Sequence, residues 1–132
     1  MRSVNERPDW WRPIWLCLAG EQPLPNILPV MAYRPEKVIF LYTDYKPSEQ
    51  AARRGGKFLK EKYDIKTISK RTDAFDTKIV TEDVMRLSME HGLGNVLLNW
   101  TGGTKPMSLA ALQALPDMVP TLYFDSRRGV LI

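Results

Sequence analysis

Residues Thr101-Gly102-Gly103-Thr104-Lys105 put two hydroxyls, a glycine pair and an ammonium into five consecutive positions. The apolar run Val96-Leu97-Leu98 precedes them, and a helix-forming stretch opens at Pro106. This is the pattern of a strand, a tight turn and a helix start. Adjacent glycines let the main chain bend closely around a ligand, and the first turn of the helix offers N–H groups with no partner inside it. Those amides, the hydroxyls and the charge of Lys105 converge on one point, where they suit an anion and above all a phosphate.

Other chemistries fit less well. A Walker loop needs glycine just before its lysine and Ser or Thr just after it, whereas Thr104 and Pro106 flank Lys105. A dinucleotide fingerprint follows the first strand, but Gly92-Leu93-Gly94 precedes a strand and serves as a helix stop. Asp44 with Asp64-Ile65-Lys66 has the composition of a metal-dependent nuclease site, yet a whole expected helix separates the two parts. His91 is the single histidine, and its place at a helix C-terminus points to capping rather than to a catalytic triad.

The elements that position the turn alternate strand with helix. Strands are expected at Ile14 to Leu18, Val38 to Tyr42, Lys66 to Ser69, Val96 to Asn99 and Thr121 to Phe124. Between them, helices are expected from about Pro25 to Tyr33, from a Ser48 cap to Tyr63, from Thr77 to His91 and from Pro106 to Leu115. Ile79, Val80, Val84 and Leu87 would share the buried face of the third. Continuous apolar strands joined by helices make an open, mainly parallel α/β sheet with helices on both faces. Such sheets bind ligands at the carboxyl ends of their strands. There the chain places Glu21 and Gln22; Thr43, Asp44 and Tyr45; Arg71 and Asp73; Thr101 through Lys105; and Asp125 through Arg128.

The chain has 132 residues, 44% hydrophobic and 26% charged, which suits one domain over 1–132. The net charge of +4 leans toward a polyanionic ligand without establishing one. Cys17, inside an apolar run, reads as a buried small hydrophobe. With no disulfide framework, no signal peptide and no membrane-length run, a cytoplasmic protein is the expectation. Trp10, Trp11 and Trp15 suit core or dimer-interface packing, whereas Trp100 either stacks on a base or packs inward.

The segment Asn99 to Met107, in the form N-x-T-G-G-T-K-x-M, combines with Gly20-Glu21-Gln22-Pro23-Leu24-Pro25-Asn26 and the strand Val38 to Thr43. Together they resemble the CARF domain, the CRISPR-associated Rossmann fold, found at the N-terminus of type III CRISPR nucleases that cyclic oligoadenylates activate. The resemblance implies a Rossmann-like sheet and a homodimer whose two-fold axis passes through a bound adenylate ring, most often cyclic tetra-adenylate. Thr101, Gly102, Gly103, Thr104 and Lys105 would hold phosphate and ribose, with Gly20, Glu21 and Gln22 on the other side. Thr43, Asp44 and Trp100 complete the expected ligand-binding set. Relatives continue into a winged-helix or nuclease domain, whereas this chain ends at Ile132 with no effector domain, as a stand-alone domain or an excised piece.

The role expected is that of a ring nuclease switching off type III CRISPR signalling. In that reaction a ribose 2′-OH attacks the adjacent phosphate, with no metal or cofactor, leaving a 2′,3′-cyclic phosphate and a free 5′-OH. Lys105 would stabilise phosphate charge, helped by Thr101 or Thr104 and the backbone N–H groups of Gly103 and Thr104. Glu21 or Asp44 would accept the 2′-OH proton, and the lack of histidine in these loops implies slow cleavage. The alternative is a non-catalytic sensor or sponge for the ring, acting alone or on a separate effector.

Overall fold

A computed structural model describes residues 7–73, 75–125 and 130–131. Strands β1 (Ile14–Leu18), β2 (Lys37–Tyr42), β3 (Lys66–Arg71), β4 (Val96–Asn99) and β5 (Thr121–Leu122) form one sheet. The order is β3-β2-β1-β4-β5 and every neighbouring pair is parallel. Helices α1 (Leu24–Tyr33), α2 (Lys46–Tyr63), α3 (Thr77–His91) and α4 (Lys105–Ala114) connect the strands.

Strand alternation divides the core in two. Leu16 and Leu18 of β1 pack with Val80, Val84 and Leu87 of α3 and with Met107, Ala110 and Ala111 of α4. Trp15 and Cys17 face the other way, onto Ile27 and Val30 of α1 and Ala52 and Leu59 of α2. Both faces are therefore covered by helices, which is why β1, β2 and β4 are apolar but for Lys37 at the start of β2 and Asn99 at the end of β4. Gly55 and Gly56 do not break α2, because their missing side chains let it lie against the sheet. A Cβ at Gly55 would come within 3.3 Å of Phe40 Cζ.

Several expected boundaries move. Ser48 does not cap α2, which starts at Lys46 with Tyr45 as N-cap. Its buried hydroxyl instead donates to the Ala19 carbonyl (2.8 Å) and accepts from the Thr43 N–H (3.1 Å), tying α2 to the ends of β1 and β2. Ile79 is exposed, so it leaves the buried face of α3, where Val80, Val84 and Leu87 remain. Strand β3 runs on to Arg71. The fifth strand stops at Leu122; after Tyr123, β6 (Phe124–Asp125) pairs antiparallel with β7 (Val130–Leu131). Ser126, Arg127 and Arg128 lie outside the described residues.

Trp15 is buried, and Trp10 meets Tyr33 edge-on at 4.8 Å between ring centroids, so this aromatic group closes the α1 side of the core. His91 ends α3 at the amino edge of the sheet. Its Nδ1–H donates to the Leu87 carbonyl (2.9 Å) and its Nε2 accepts from Lys37 Nζ (3.2 Å), consistent with the capping role.

The chain order reverses between β1 and β4, where the crossovers diverge. There the main chains after both strands touch. A Cβ at Gly102 would fall directly on the Leu18 carbonyl oxygen, and one at Gly20 would lie 3.1 Å from the Gly103 nitrogen. Gly103 has φ +86°, a conformation open to glycine and costly for other residues. Buried Asn26 donates from Nδ2 to the same Leu18 carbonyl (2.8 Å), drawing α1 into the junction.

Gly102→Ala is expected to destabilise the fold by about 1–3 kcal/mol through this backbone clash. Gly94→Ala, with open space around its Cβ, should change stability by less than about 0.5 kcal/mol; urea midpoints of the two variants check the contrast. Burial pushes the Cys17 thiol from its ordinary 9.0 up to about 12, the Asn99 side chain opposing weakly. Its neutral form is favoured in the folded state, so this contribution is complete below pH 9 and is lost as pH rises toward 12. Unfolding free energy should accordingly fall more steeply between pH 9 and pH 10 in the wild type than in Cys17→Ala.

Candidate functional site

The carboxyl end of β4 is shaped by Asn99, a fully buried side chain. Its Oδ1 accepts from the Thr101 backbone N–H (3.1 Å) and from the Thr101 hydroxyl (2.6 Å), turning the chain sharply out of the strand. The Thr101 oxygen in turn accepts from the Phe124 N–H (2.9 Å). With its proton already donated to Asn99, the Thr101 hydroxyl holds β6 against the turn, which makes Thr101 a positioning residue. Thr104 is the N-cap of α4, its Oγ1 accepting from the Met107 N–H (3.2 Å), and Lys105 follows as the exposed first residue of the helix.

Residues Gly102 and Gly103 thus form a ridge between two cavities. The first, of about 300 Å³, lies toward β2 and is lined by Ala19, Gly20, Glu21, Thr43, Tyr45, Ser48, Phe75, Gly103, Thr104 and Met107. The second, of about 290 Å³, lies toward β5 and is lined by Trp100, Thr101, Gly102, Gly103, Lys105, Ser108 and Tyr123. A mostly apolar hollow and a hollow carrying an ammonium therefore share one backbone wall.

At the rim of the first cavity the Tyr45 hydroxyl donates to Glu21 Oε1 (2.6 Å). That hydrogen bond and the negative charge of Glu21 hold the Tyr45 hydroxyl above its usual range. Thr43 is buried, its Oγ1 accepting from the Tyr45 N–H (3.3 Å). Phe75 stands 81% exposed on the loop before α3. Asp73 shapes this loop, since its carboxylate accepts from the N–H groups of Phe75 (2.8 Å) and Asp76 (3.0 Å), which lower its pKa. In the second cavity, Trp100 packs against Tyr123 at 4.6 Å between centroids while still lining the wall.

Of the expected ligand set, Gly20, Glu21, Thr43 and Thr104 line the first cavity, Trp100, Thr101, Gly102 and Lys105 the second, and Gly103 both. Gln22 and Asp44 line neither; Asp44 lies 3.7 Å from Arg71 in an exposed ion pair. Asp64 caps the far end of α2 before β3 begins, so a sheet length separates it from Asp44 and the two cannot share a metal. Among the described residues no group of three or more His, Cys, Asp or Glu could hold a metal ion.

Sequence reasoning left out Ser48, Phe75, Met107, Ser108 and Tyr123. For Phe75 the sequence did carry a sign, a lone aromatic between Asp73 and Asp76 in a polar turn. Met107 closes the N-x-T-G-G-T-K-x-M motif, though its place in the cavity wall was not foreseen, and Ser48 gave no sign, because it reaches the cavity only through the way its helix docks.

The Card1 CARF domain family matches residues 14–128. Among solved structures, Can2 from Sulfobacillus thermosulfidooxidans, in complex with cyclic tetra-adenylate, aligns with TM-score 0.75 at 26% identity, covering 92% of this chain and 37% of that one. A type III CRISPR defence DNA nuclease activated by cyclic oligoadenylate aligns with TM-score 0.68 at 19% identity, covering 99% of this chain and 22% of the nuclease. Protein VC1899 from Vibrio cholerae aligns with TM-score 0.74 at 17% identity, covering 89% and 32%. This chain is thus well under half the length of each of these proteins. No curated protein matches it. The match over 14–128, the strand order that reverses at the glycine junction and the fold shared with Can2 lead to one assignment: the chain belongs to the CARF domains of the Card1 family.

Proposed function

We propose that this domain binds a cyclic oligoadenylate, cyclic tetra-adenylate in particular, as a homodimer, and cleaves it slowly without a metal. The observation that carries the reading is the Gly102–Gly103 ridge, with a cavity on each side and the amino end of α4 beside it. The likeness to Can2 with its bound ring supports the ligand class. Each cavity, near 300 Å³, is at the small end of ligand sites and suits one nucleotide rather than a whole ring. A ring spanning two copies would then place successive nucleotides in both hollows of each.

Along the ridge, adenine would enter the hollow lined by Ala19, Tyr45, Phe75 and Met107, while phosphate would lie by Lys105 and the helix N–H groups. For cleavage, the 2′-oxygen forms a bond to the adjacent phosphorus as the bond to the 5′-oxygen breaks. The 2′-proton leaves to a base, the 5′-oxygen gains one, and the products are a 2′,3′-cyclic phosphate and a 5′-hydroxyl. Lys105 stabilises charge on the phosphate. Glu21 is better placed than Asp44 to take the proton, since it lines the cavity whereas Asp44 pairs with Arg71. The second reading, a binder that leaves the ring intact, draws on the absence of any imidazole from both cavity walls and on the engaged Thr101 hydroxyl.

Incubation with cyclic tetra-adenylate in EDTA, followed by chromatography, separates the readings. Linear di-adenylate with a cyclic phosphate end supports cleavage; tight binding of an intact ring supports the sensor; no binding overturns both. Activity that requires magnesium would overturn the metal-independent step. If the ring is cut, Lys105→Ala should lower the rate about 100-fold or more while weakening binding by a smaller factor, and equal losses would exclude a transition-state role. Tyr45→Phe, which frees Glu21 of a hydrogen bond, should change the cleavage rate far less than Glu21→Gln does.

A further inference from the structure

The positive charge of the chain is not spread over it. Residues 46–71, which cover α2 and β3, contain nine of the 19 Lys and Arg but only three of the 15 Asp and Glu, a net +6. The other 106 residues contain ten basic and 12 acidic side chains, a net −2. The excess of the whole protein therefore lies on these two elements, and neither Lys105 nor the glycine ridge contributes to it.

Within α2 the cations are ordered. Ser48, Ala51, Ala52, Gly55, Gly56 and Leu59 form the buried face. At 100° per residue, Lys46, Arg53, Lys57 and Lys60 fall within an arc of about 60° on the opposite side, and they span about 21 Å along the axis. All four are exposed. Arg53 pairs with Glu49 at 2.9 Å across one turn, whereas among the described residues no ion pair engages Lys46, Lys57 or Lys60. A surface ion pair of this kind contributes little and leaves the guanidinium accessible. No aromatic side chain falls within the arc; Phe58 points well away from it.

We infer that this outer face of α2 docks on the phosphate backbone of a double-stranded nucleic acid, without reading its sequence. A straight row of flexible cations, 3 to 14 residues apart along one helix side, suits a regular line of phosphates. The lack of a stacking platform argues against a single strand, whose binding draws on aromatic contacts with splayed bases. Lys46 follows the cavity residue Tyr45, but none of the four cations lines either cavity, so the inference stands independently of the ring-binding proposal.

Fluorescence anisotropy of the whole chain with a labelled 20-base-pair duplex tests it. The expected dissociation constant at physiological salt falls in the range of about 10⁻⁶ to 10⁻⁴ M, with log K falling against log salt with a slope of about −3.6 for four phosphates. Lys57→Glu with Lys60→Glu should weaken binding at least about tenfold while leaving the thermal midpoint in place. Lys57→Gln with Lys60→Gln, a gentler change, should weaken it less and flatten the salt slope by about two units. No binding to the duplex, tighter binding to oligo-dT than to the duplex, equal affinity for poly-glutamate, or full binding by the double Glu variant would each overturn the proposal.

Discussion

Close main-chain contact between the end of β1 and the turn after β4 is the constraint on which the rest of the molecule depends. Side chains at Gly102 or Gly20 would push the two loops apart, because their Cβ atoms would meet backbone rather than a movable side chain. The contact sits where the strand order reverses, so the crossovers leaving β1 and β4 diverge and open a crevice on either side. Asn26 of α1 binds the Leu18 carbonyl at the end of β1, and Asn99 binds the Thr101 N–H after β4, one on each side of the junction. The ridge, its cavities and the start of α4 all follow from this contact.

Rigid positioning of this kind suits recognition of a phosphate. Amides fixed by a sheet and a helix need little reorganisation when an anion arrives, in contrast to a flexible loop of lysines. The same economy explains Thr101, whose hydroxyl joins Asn99 to Phe124 and so fixes β6 beside the ridge. Charge is divided in a parallel way: among the described residues Lys105 is the cation that lines one of the two cavities, while the dense cations of α2 line neither.

Much of the fold was legible because parallel strands buried on both faces are apolar throughout. Residues 14–18 and 96–99 appear in the structure with the expected limits, as does α3, whose start is marked by Asp76 and whose end is marked by Gly92. Elsewhere local signals misled. Ser48 looks like a helix cap in sequence, yet docking of α2 on β1 gave its hydroxyl buried partners inside the first turn. Thr121 to Phe124 looks like one strand, but the bond from Phe124 N–H to Thr101 turns the chain away after Leu122.

Sequence by itself determined the class of the sheet, the strand–glycine turn–helix form of Thr101 through Lys105 and the family resemblance, because each rests on residue types at short spacing. Tertiary structure alone decided which loops share a wall. It brought Gly20 against Gly103, left Asp44 outside both cavities beside Arg71, placed Phe75 at the rim and gave the Thr101 hydroxyl a bracing bond to Phe124 in the wall of the second cavity. The reason is physical: short-range pattern specifies local conformation, whereas contacts between loops many residues apart exist only once the helices have packed the strands into order.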